Sequence, residues 1–229
     1  MPATGGCYDG VVVKNPRLKT VPILTHKKMS AAAISRPTIA LLRERLSAHI
    51  GKVISCPKTR NKGAAGLLLE TALGIPHSTA CLDCVDGELK VFPVKRNART
   101  GALVPKESIK TTSLNRDALA KDSFAESRVY RKMSRMLCVP YERTGDTIVF
   151  YTPTLIELEA APYAELRTRL EADYTAIRNH FTTTGELKSE HGALLQNRTA
   201  GPGNGSTSRA FYLRTTFATE FIPIHPLSS

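Results

Sequence analysis

One short predicted strand carries two carboxylates and a lysine, and it constrains the fold more than any other segment. Residues 83–90 have the pattern D-x4-E-x-K, which ends in Glu88, Leu89 and Lys90. Side chains alternate between the two faces of a strand, so Glu88 and Lys90 share one face. Leu89 points to the opposite face and into the core, so the strand is expected to belong to a packed sheet.

The same side chains suit the hydrolysis of a phosphodiester. Two acids such as Asp83 and Glu88 can hold a divalent metal that offsets the negative charge of the reacting groups. A lysine such as Lys90 can help to activate the attacking water. Acid and lysine patterns are also common on solvated strand edges, so the pattern alone leaves both interpretations open.

The charge of the chain favours a polyanionic partner. The 229 residues include 32 lysines and arginines against 20 acids, which gives a net charge of +12. Surfaces this basic attract nucleic acid, the commonest polyanion. The alternative is a basic protein that self-repulsion keeps monomeric.

Cysteine usage and hydropathy predict a soluble, intracellular protein. Five cysteines are an odd number, unlike a secreted disulfide framework, and there is neither a signal peptide nor an apolar run of ~18 residues. Cys81 and Cys84 form one C-x-x-C motif, which raises zinc or a redox pair. A structural zinc site needs about four ligands, so packing around the strand is favoured.

Apolar periodicity predicts a mixed order of helices and strands. Helices are predicted over residues 38–50, 64–73, around 129–136, 157–181 and 217–221. Strands are predicted over residues 87–94, 103–114, 137–139, 148–151, 193–196 and 211–213. This order predicts an α/β or mixed α+β domain over residues 36–229, preceded by a flexible basic arm over residues 1–35.

Five blocks of sequence follow one another in a recognisable order over about residues 38–221. They are N-K-G-A-A-G-L-L-L-E with L-G at 61–74, E-L-K-V-F-P-V at 88–94, the run at 126–140, H-G with L-Q-N-R at 191–198, and A-F-Y-L-R with Phe at 210–217. The ordered set resembles the MutH-type DNA mismatch-repair endonucleases and the related restriction enzymes that cut at GATC. The resemblance implies a restriction-endonuclease-like fold, in which a central mixed sheet is flanked by helices and two lobes surround a DNA cleft.

The resemblance also implies catalytic roles. Asp83 and Glu88 would hold Mg²⁺, for which Mn²⁺ could substitute. Glu70 matches the supporting acid of the family, which reaches the metal directly or through water. Lys90 would orient or deprotonate the water, and Lys132 would stabilise the scissile phosphate.

Further residues match positions that contact DNA. Lys62 matches a DNA-contacting position, and Arg198 and Tyr212 match positions that sense the bases or their methylation. Other basic residues predicted to contact DNA are Arg131, Arg135 and Arg214. Simpler interpretations remain, since Glu70 could be a solvated helix residue, Lys132 part of an ordinary basic patch and Tyr212 a core tyrosine.

The sequence departs from the family pattern at two points. The family places its metal aspartate seven residues before the glutamate, where this chain has Cys81. Asp83 lies five residues before Glu88, and Asp86 is its rival. The chain also has no tryptophan, and Cys138 stands in the segment where the family often has one.

The expected function is sequence-specific, Mg²⁺-dependent cleavage of double-stranded DNA that leaves 5′-phosphate and 3′-hydroxyl ends. The favoured interpretation is a DNA-associated restriction-type enzyme that acts at a short site such as GATC, with a companion DNA methyltransferase and no membrane partner. The alternative is a repair enzyme that nicks one strand after activation by a MutL-type partner. A hypothesis of another class is a non-catalytic DNA-binding module.

Overall fold

Two β-sheets form the scaffold of the chain in a computed structural model that describes residues 35–59, 61, 63–201 and 206–225. The strands are β1 (Val53–Ser55), β2 (Glu88–Arg96), β3 (Leu103–Pro105), β4 (Ile109–Ser113), β5 (Arg135–Thr144), β6 (Thr147–Phe150), β7 (Thr154–Glu157), β8 (Leu195–Thr199) and β9 (Arg209–Leu213). The helices are α1 (Ile39–Ser47), α2 (Ala64–Leu73), α3 (Arg116–Lys121), α4 (Arg128–Met133), α5 (Ala164–Thr184) and α6 (Thr215–Phe221), with a 3₁₀ turn at Ala161–Tyr163. Apart from Ser35, the predicted arm lies outside the described residues.

The larger sheet is mixed. Its strands follow the order β1-β6-β5-β2-β3, and β7 also pairs with β5. The central pair, β2 and β5, is parallel, whereas the other pairs in this sheet are antiparallel. The smaller sheet has the order β4-β9-β8 and is antiparallel. The predicted mixed α+β fold with a central mixed sheet and flanking helices is confirmed.

Each face of the larger sheet has its own core. Leu89 and Leu137 pack with the apolar sides of α1 and α2 on one face. Phe92 and Met136 pack on the other face with α4, α5 and the smaller sheet. Neighbours in sequence therefore enter different cores, as strand alternation requires.

Local signals explain where the helices begin and end. Thr38 caps α1 by accepting from the Leu41 amide at 3.2 Å, and Ser127 caps α4 through the Tyr130 amide at 3.0 Å. Gly74 ends α2 in the left-handed conformation, as is common one residue beyond a helix. The predicted apolar stripe of α5 is buried at positions 166, 170, 174 and 177.

Several predicted boundaries were wrong. The helix predicted from residue 157 begins at Ala164, because residues 154–157 pair with β5 as strand β7. Met136, predicted on a helix, lies on β5. The strand predicted over residues 103–114 is two strands in different sheets, and the first ends at Pro105.

Three short elements were not predicted from the sequence: β1, β7 and α3. Elements of three to six residues have too few apolar positions to show a periodicity, and tertiary pairing decides them instead. In the described part of the chain, no helix is long and apolar enough to cross a membrane.

Candidate active site

Glu88 is the centre of a buried ionic cluster at the start of β2. Its side chain is 1% exposed, and its Oε1 atom accepts from Lys90 Nζ at 2.5 Å and from Lys132 Nζ at 2.6 Å. Lys90 follows on the same strand and on the same face. Lys132 comes from α4, which leads into β5 beside β2 in the parallel pair.

Burial makes this pairing necessary. A carboxylate loses several kcal/mol of hydration energy in the interior unless charged partners compensate for the loss. Two ammonium groups compensate for Glu88, and each retains further N–H donors. The second oxygen of Glu88, Oε2, accepts from the Asp83 amide at 3.4 Å.

Asp83 lies in the loop before β2 and next to Glu88, and not on the strand itself as the sequence pattern predicted. Its Oδ2 accepts from the Leu89 amide at 3.1 Å, which fixes the carboxylate at the beginning of the strand. Burial raises the pKa of Asp83, and the charge of Glu88 raises it further, whereas Lys90 and Lys132 oppose the shift. At Asp83, burial and the neighbouring carboxylate therefore outweigh the two lysines.

Glu70 extends from α2 towards the same cluster. Burial raises the pKa of Glu70, followed by the charges of Asp83 and Glu88, while Lys90 and His77 lower it. The three predicted carboxylates thus act on one another electrostatically. In the described residues, however, no three histidine, cysteine or acidic side chains are already arranged as a metal-binding group.

Asp86, the rival aspartate, has a different environment. One of its oxygens accepts from the Ile39 amide at 2.8 Å, at the beginning of α1, and the other forms an ion pair with Arg135. Its carboxylate therefore links the helix to β5. Asp83 is the aspartate that the structure places next to Glu88.

Arg36 holds the loop that carries Asp83. Its Nη1 atom donates to the carbonyl oxygens of Leu82 at 2.8 Å and Cys84 at 3.2 Å, on either side of the aspartate. This residue was missed in the sequence analysis, because nothing in the spacing of Arg36 and Asp83 indicates a contact across 47 positions.

Gly87 allows the close approach of three segments just before Glu88. A Cβ atom at this position would lie 2.6 Å from the carbonyl oxygen of Arg135 and 2.7 Å from Cγ1 of Ile39. Real Cβ atoms do not approach other atoms so closely, so only glycine fits without a shift of the backbone. In the sequence, the feature that could have indicated this close approach is the glycine directly before Glu88.

Two of the cysteines near the site, Cys84 and Cys138, are buried thiols. Burial raises the pKa of Cys84 to about 12, and the charges of Asp83 and Asp86 contribute. Burial likewise raises the pKa of Cys138 to about 12. Cys81, the other cysteine of the C-x-x-C motif, is only partly buried.

The predicted DNA-sensing pair lies on the smaller sheet. The guanidinium of Arg198 stands 5.3 Å from the ring centroid of Tyr212, in a cation–π contact. Gln196 pairs directly opposite Tyr212 in the strand register. Arg131 is exposed on α4, and Lys62 lies outside the described residues.

Two other arginines predicted to contact DNA bind within the protein. Arg214 donates from Nε to the Gly192 carbonyl at 2.9 Å and from Nη2 to the Ser189 carbonyl at 2.6 Å. Arg135, besides its contact with Asp86, pairs with Glu157 at 3.1 Å. Both guanidinium groups hold protein segments together in this structure.

Residues 77–173 match the sequence model of the family described as the DNA mismatch repair enzyme MutH. This segment is MutH-like. The resemblance predicted from the sequence is thereby confirmed, and the match indicates a DNA endonuclease. The MutH-like segment includes Asp83, Glu88, Lys90 and Lys132, whereas Glu70 and the smaller sheet's β8 and β9 lie outside it.

One solved structure similar to the chain is that of the restriction endonuclease MvaI in a complex with its cognate DNA substrate. The two share 9% sequence identity with a TM-score of 0.42, and the similarity covers 81% of this chain and 96% of the other. No curated protein matches the chain.

Proposed function

We propose that the chain is a sequence-specific, Mg²⁺-dependent endonuclease that hydrolyses phosphodiesters in double-stranded DNA. The MutH match supports the reaction class. The observation that carries the assignment of the site is the buried Glu88, with Lys90 and Lys132 on one oxygen and Asp83 beside it. A solvated strand edge would leave these side chains exposed.

The donor set fits a hard divalent cation. Mg²⁺ is usually bound by one or two carboxylates and keeps several waters, and Asp83 and Glu88 offer carboxylates of that kind. Burial and, after it, the charge of Glu88 raise the pKa of Asp83, and a bound cation would favour its ionised form. Glu70 would support the ion through water. When bound, the metal polarises the phosphoryl oxygen and offsets the charge that develops in the transition state.

The two lysines would act on water and on phosphate. Lys90, on the same face of β2 as Glu88, would orient or deprotonate the attacking water. Lys132 would donate to a non-bridging oxygen of the scissile phosphate, with an N–H that Glu88 does not use. Attack on phosphorus then leaves a 5′-phosphate and a 3′-hydroxyl.

DNA would lie in a cleft between two lobes and also contact the smaller sheet. Arg198 and Tyr212 present a planar cation and a ring on neighbouring strands. Such groups read base edges and methyl groups, whereas phosphate contacts position the protein. Arg131 and Lys62 are proposed as phosphate contacts.

The favoured biological role is restriction at a short site such as GATC, with a DNA methyltransferase as companion. The net charge of +12 supports self-sufficient DNA binding. Duplexes carrying unmethylated, hemimethylated or fully methylated GATC, incubated with purified protein and Mg²⁺, test this role. Cleavage of both strands of unmethylated DNA without a partner is expected. Nicking that requires a MutL-type protein would assign the chain to repair instead.

A further inference from the structure

A second basic surface lies at the end of β2 opposite to Glu88. It is an open groove, and its walls are formed by Lys58, Thr59 and Asn61, the end of β2, the start of the β3–β4 connection and the end of β5. Its charged lining residues are Lys58, Lys95, Arg96, Lys106, Glu107, Glu142 and Arg143. The active-site proposal uses none of them.

Internal contacts account for some of these charges. Arg96 pairs with Glu142 at 3.2 Å, and Glu142 also accepts from the Tyr151 hydroxyl at 2.7 Å. Arg143 donates to the Cys56 carbonyl and lies 3.0 Å from the Cys56 sulfur. These contacts bind the walls of the groove to one another.

Three other lysines determine the electrostatic potential of the groove. Lys58, Lys95 and Lys106 are exposed, and within the described residues none of them forms an ion pair. Glu107 is the acid that opposes them. The groove therefore carries an excess of uncompensated positive charge.

The strand pairing places two of the lysines near each other. Lys95 is directly opposite Val104, and the Lys106 amide donates to the Pro93 carbonyl at 3.0 Å, so Lys106 continues the pairing of β3 with β2. Diagonal neighbours of this kind are about 7–8 Å apart. One strand of B-DNA carries a charge every ~3.4 Å of helix axis, so the pair can contact about two phosphates.

We propose that this groove binds the phosphate backbone of the substrate duplex outside the cleavage site, and this inference rests on the proposed function. At about 3.3 Å per residue, the seven residues from Glu88 to Lys95 span roughly 23 Å. That length corresponds to about seven base pairs. Lys95 is an odd number of residues from Glu88 and therefore lies on the other face of β2, so the groove would contact a flank of the duplex that passes this end of the sheet. An open groove with lysines from separate segments suits a backbone, whereas a small anion is usually held in an enclosed pocket.

The test compares the double variant Lys95→Ala/Lys106→Ala with the double variant Arg43→Ala/Lys121→Ala. The second pair removes two exposed cations that do not line the groove. Binding to a 30-base-pair duplex is measured by fluorescence anisotropy in Ca²⁺ between 50 and 300 mM salt, and cleavage is measured in Mg²⁺. Circular dichroism and thermal melting verify that both variants are folded.

Each phosphate contact contributes about 0.9 to the slope of log K against log salt. For Lys95→Ala/Lys106→Ala, we expect the magnitude of this slope to fall by about 1.8 and the affinity for DNA to fall by at least tenfold. The kcat at saturating DNA should not change. An unchanged slope, or an equal loss in the control pair, overturns the groove assignment. If the wild type binds DNA but does not cleave it, the proposed function fails, and the slope comparison still tests the groove.

Discussion

At the scale of single residues, the buried carboxylate of Glu88 determines what the site can do. Its ionised form is compatible with 1% exposure because two ammonium groups lie on one oxygen. The strand motif contains Glu88 and Lys90, and the MutH resemblance adds Lys132. The different environments of Asp83 and Asp86 could not be predicted from the sequence, because Asp86 is held by the distant partners Ile39 and Arg135.

Replacing Glu88 with glutamine removes the charge and keeps the shape. We expect cleavage to fall by at least about 100-fold, with DNA binding retained. Lys132 would lose its carboxylate partner while largely buried, so the free energy of unfolding should fall by roughly 3 kcal/mol. Urea denaturation and a plasmid cleavage assay measure the two effects. Full activity in Glu88→Gln contradicts the assigned role.

We expect Asp83 to lower the stability of the metal-free protein while it contributes to cleavage. Its pKa is raised by burial and by Glu88. A carboxyl group with a raised pKa in the folded state contributes stability that is complete below its unfolded pKa of about 3.9 and is lost as pH rises through the folded pKa. Ionised Asp83 therefore destabilises the metal-free protein at pH 7.

The variant Asp83→Asn should accordingly melt at a higher temperature than the wild type at pH 7 in EDTA. The difference should shrink towards about pH 4, where the wild-type carboxyl is protonated, and cleavage should fall by at least about 100-fold. Asp86→Asn is the matched control, and it should melt lower because it weakens the ion pair with Arg135. A lower melting temperature for Asp83→Asn at pH 7 would refute the argument.

At the scale of elements, the segment leading into α1 positions the loop that carries Asp83. Arg36 binds the carbonyls on both sides of Asp83, and the beginning of the helix is held by Asp86. The sequence predicted the helix and its Thr38 cap. It could not predict that the helix packs on residues 82–87, since that contact joins segments more than 40 positions apart.

Gly87→Ala tests this close packing. The added methyl would meet Arg135 and Ile39 at under 3 Å, so we expect a loss of roughly 1–3 kcal/mol in the free energy of unfolding. It should also reduce kcat, because Glu88 is the next residue. Gly66→Ala on α2 is the control, since its nearest contact would be 3.9 Å and alanine favours a helix by about 0.5–1 kcal/mol. Equal stability of the two variants would exclude the proposed crowding.

Arg36→Ala should loosen the loop without touching the chemistry directly. We expect a reduction of about 10- to 100-fold in kcat, with KM for DNA nearly unchanged and partial recovery in Arg36→Lys. Steady-state kinetics with a defined duplex separates the two parameters. A change confined to KM would indicate that Arg36 contacts DNA instead.

At the scale of the whole molecule, the order of elements predicted the mixed fold, and the ordered blocks predicted the MutH-like segment. What the sequence could not supply was long-range pairing. The division of residues 103–114 between two sheets, and the pairing of β7 with β5, depend on partners distant in the chain. The basic groove at the end of β2 became visible only in three dimensions for the same reason.

The central claim is that the Glu88 cluster cleaves DNA. The most direct measurement incubates purified wild-type protein and the Lys90→Ala variant with plasmid DNA and Mg²⁺, followed by sequencing of the ends. We predict discrete ends with 5′-phosphates at one short sequence for the wild type, and a rate lower by about 10²–10³-fold for Lys90→Ala. Intact plasmid with both proteins, under conditions in which both bind it, would contradict the account and favour a non-catalytic DNA-binding module.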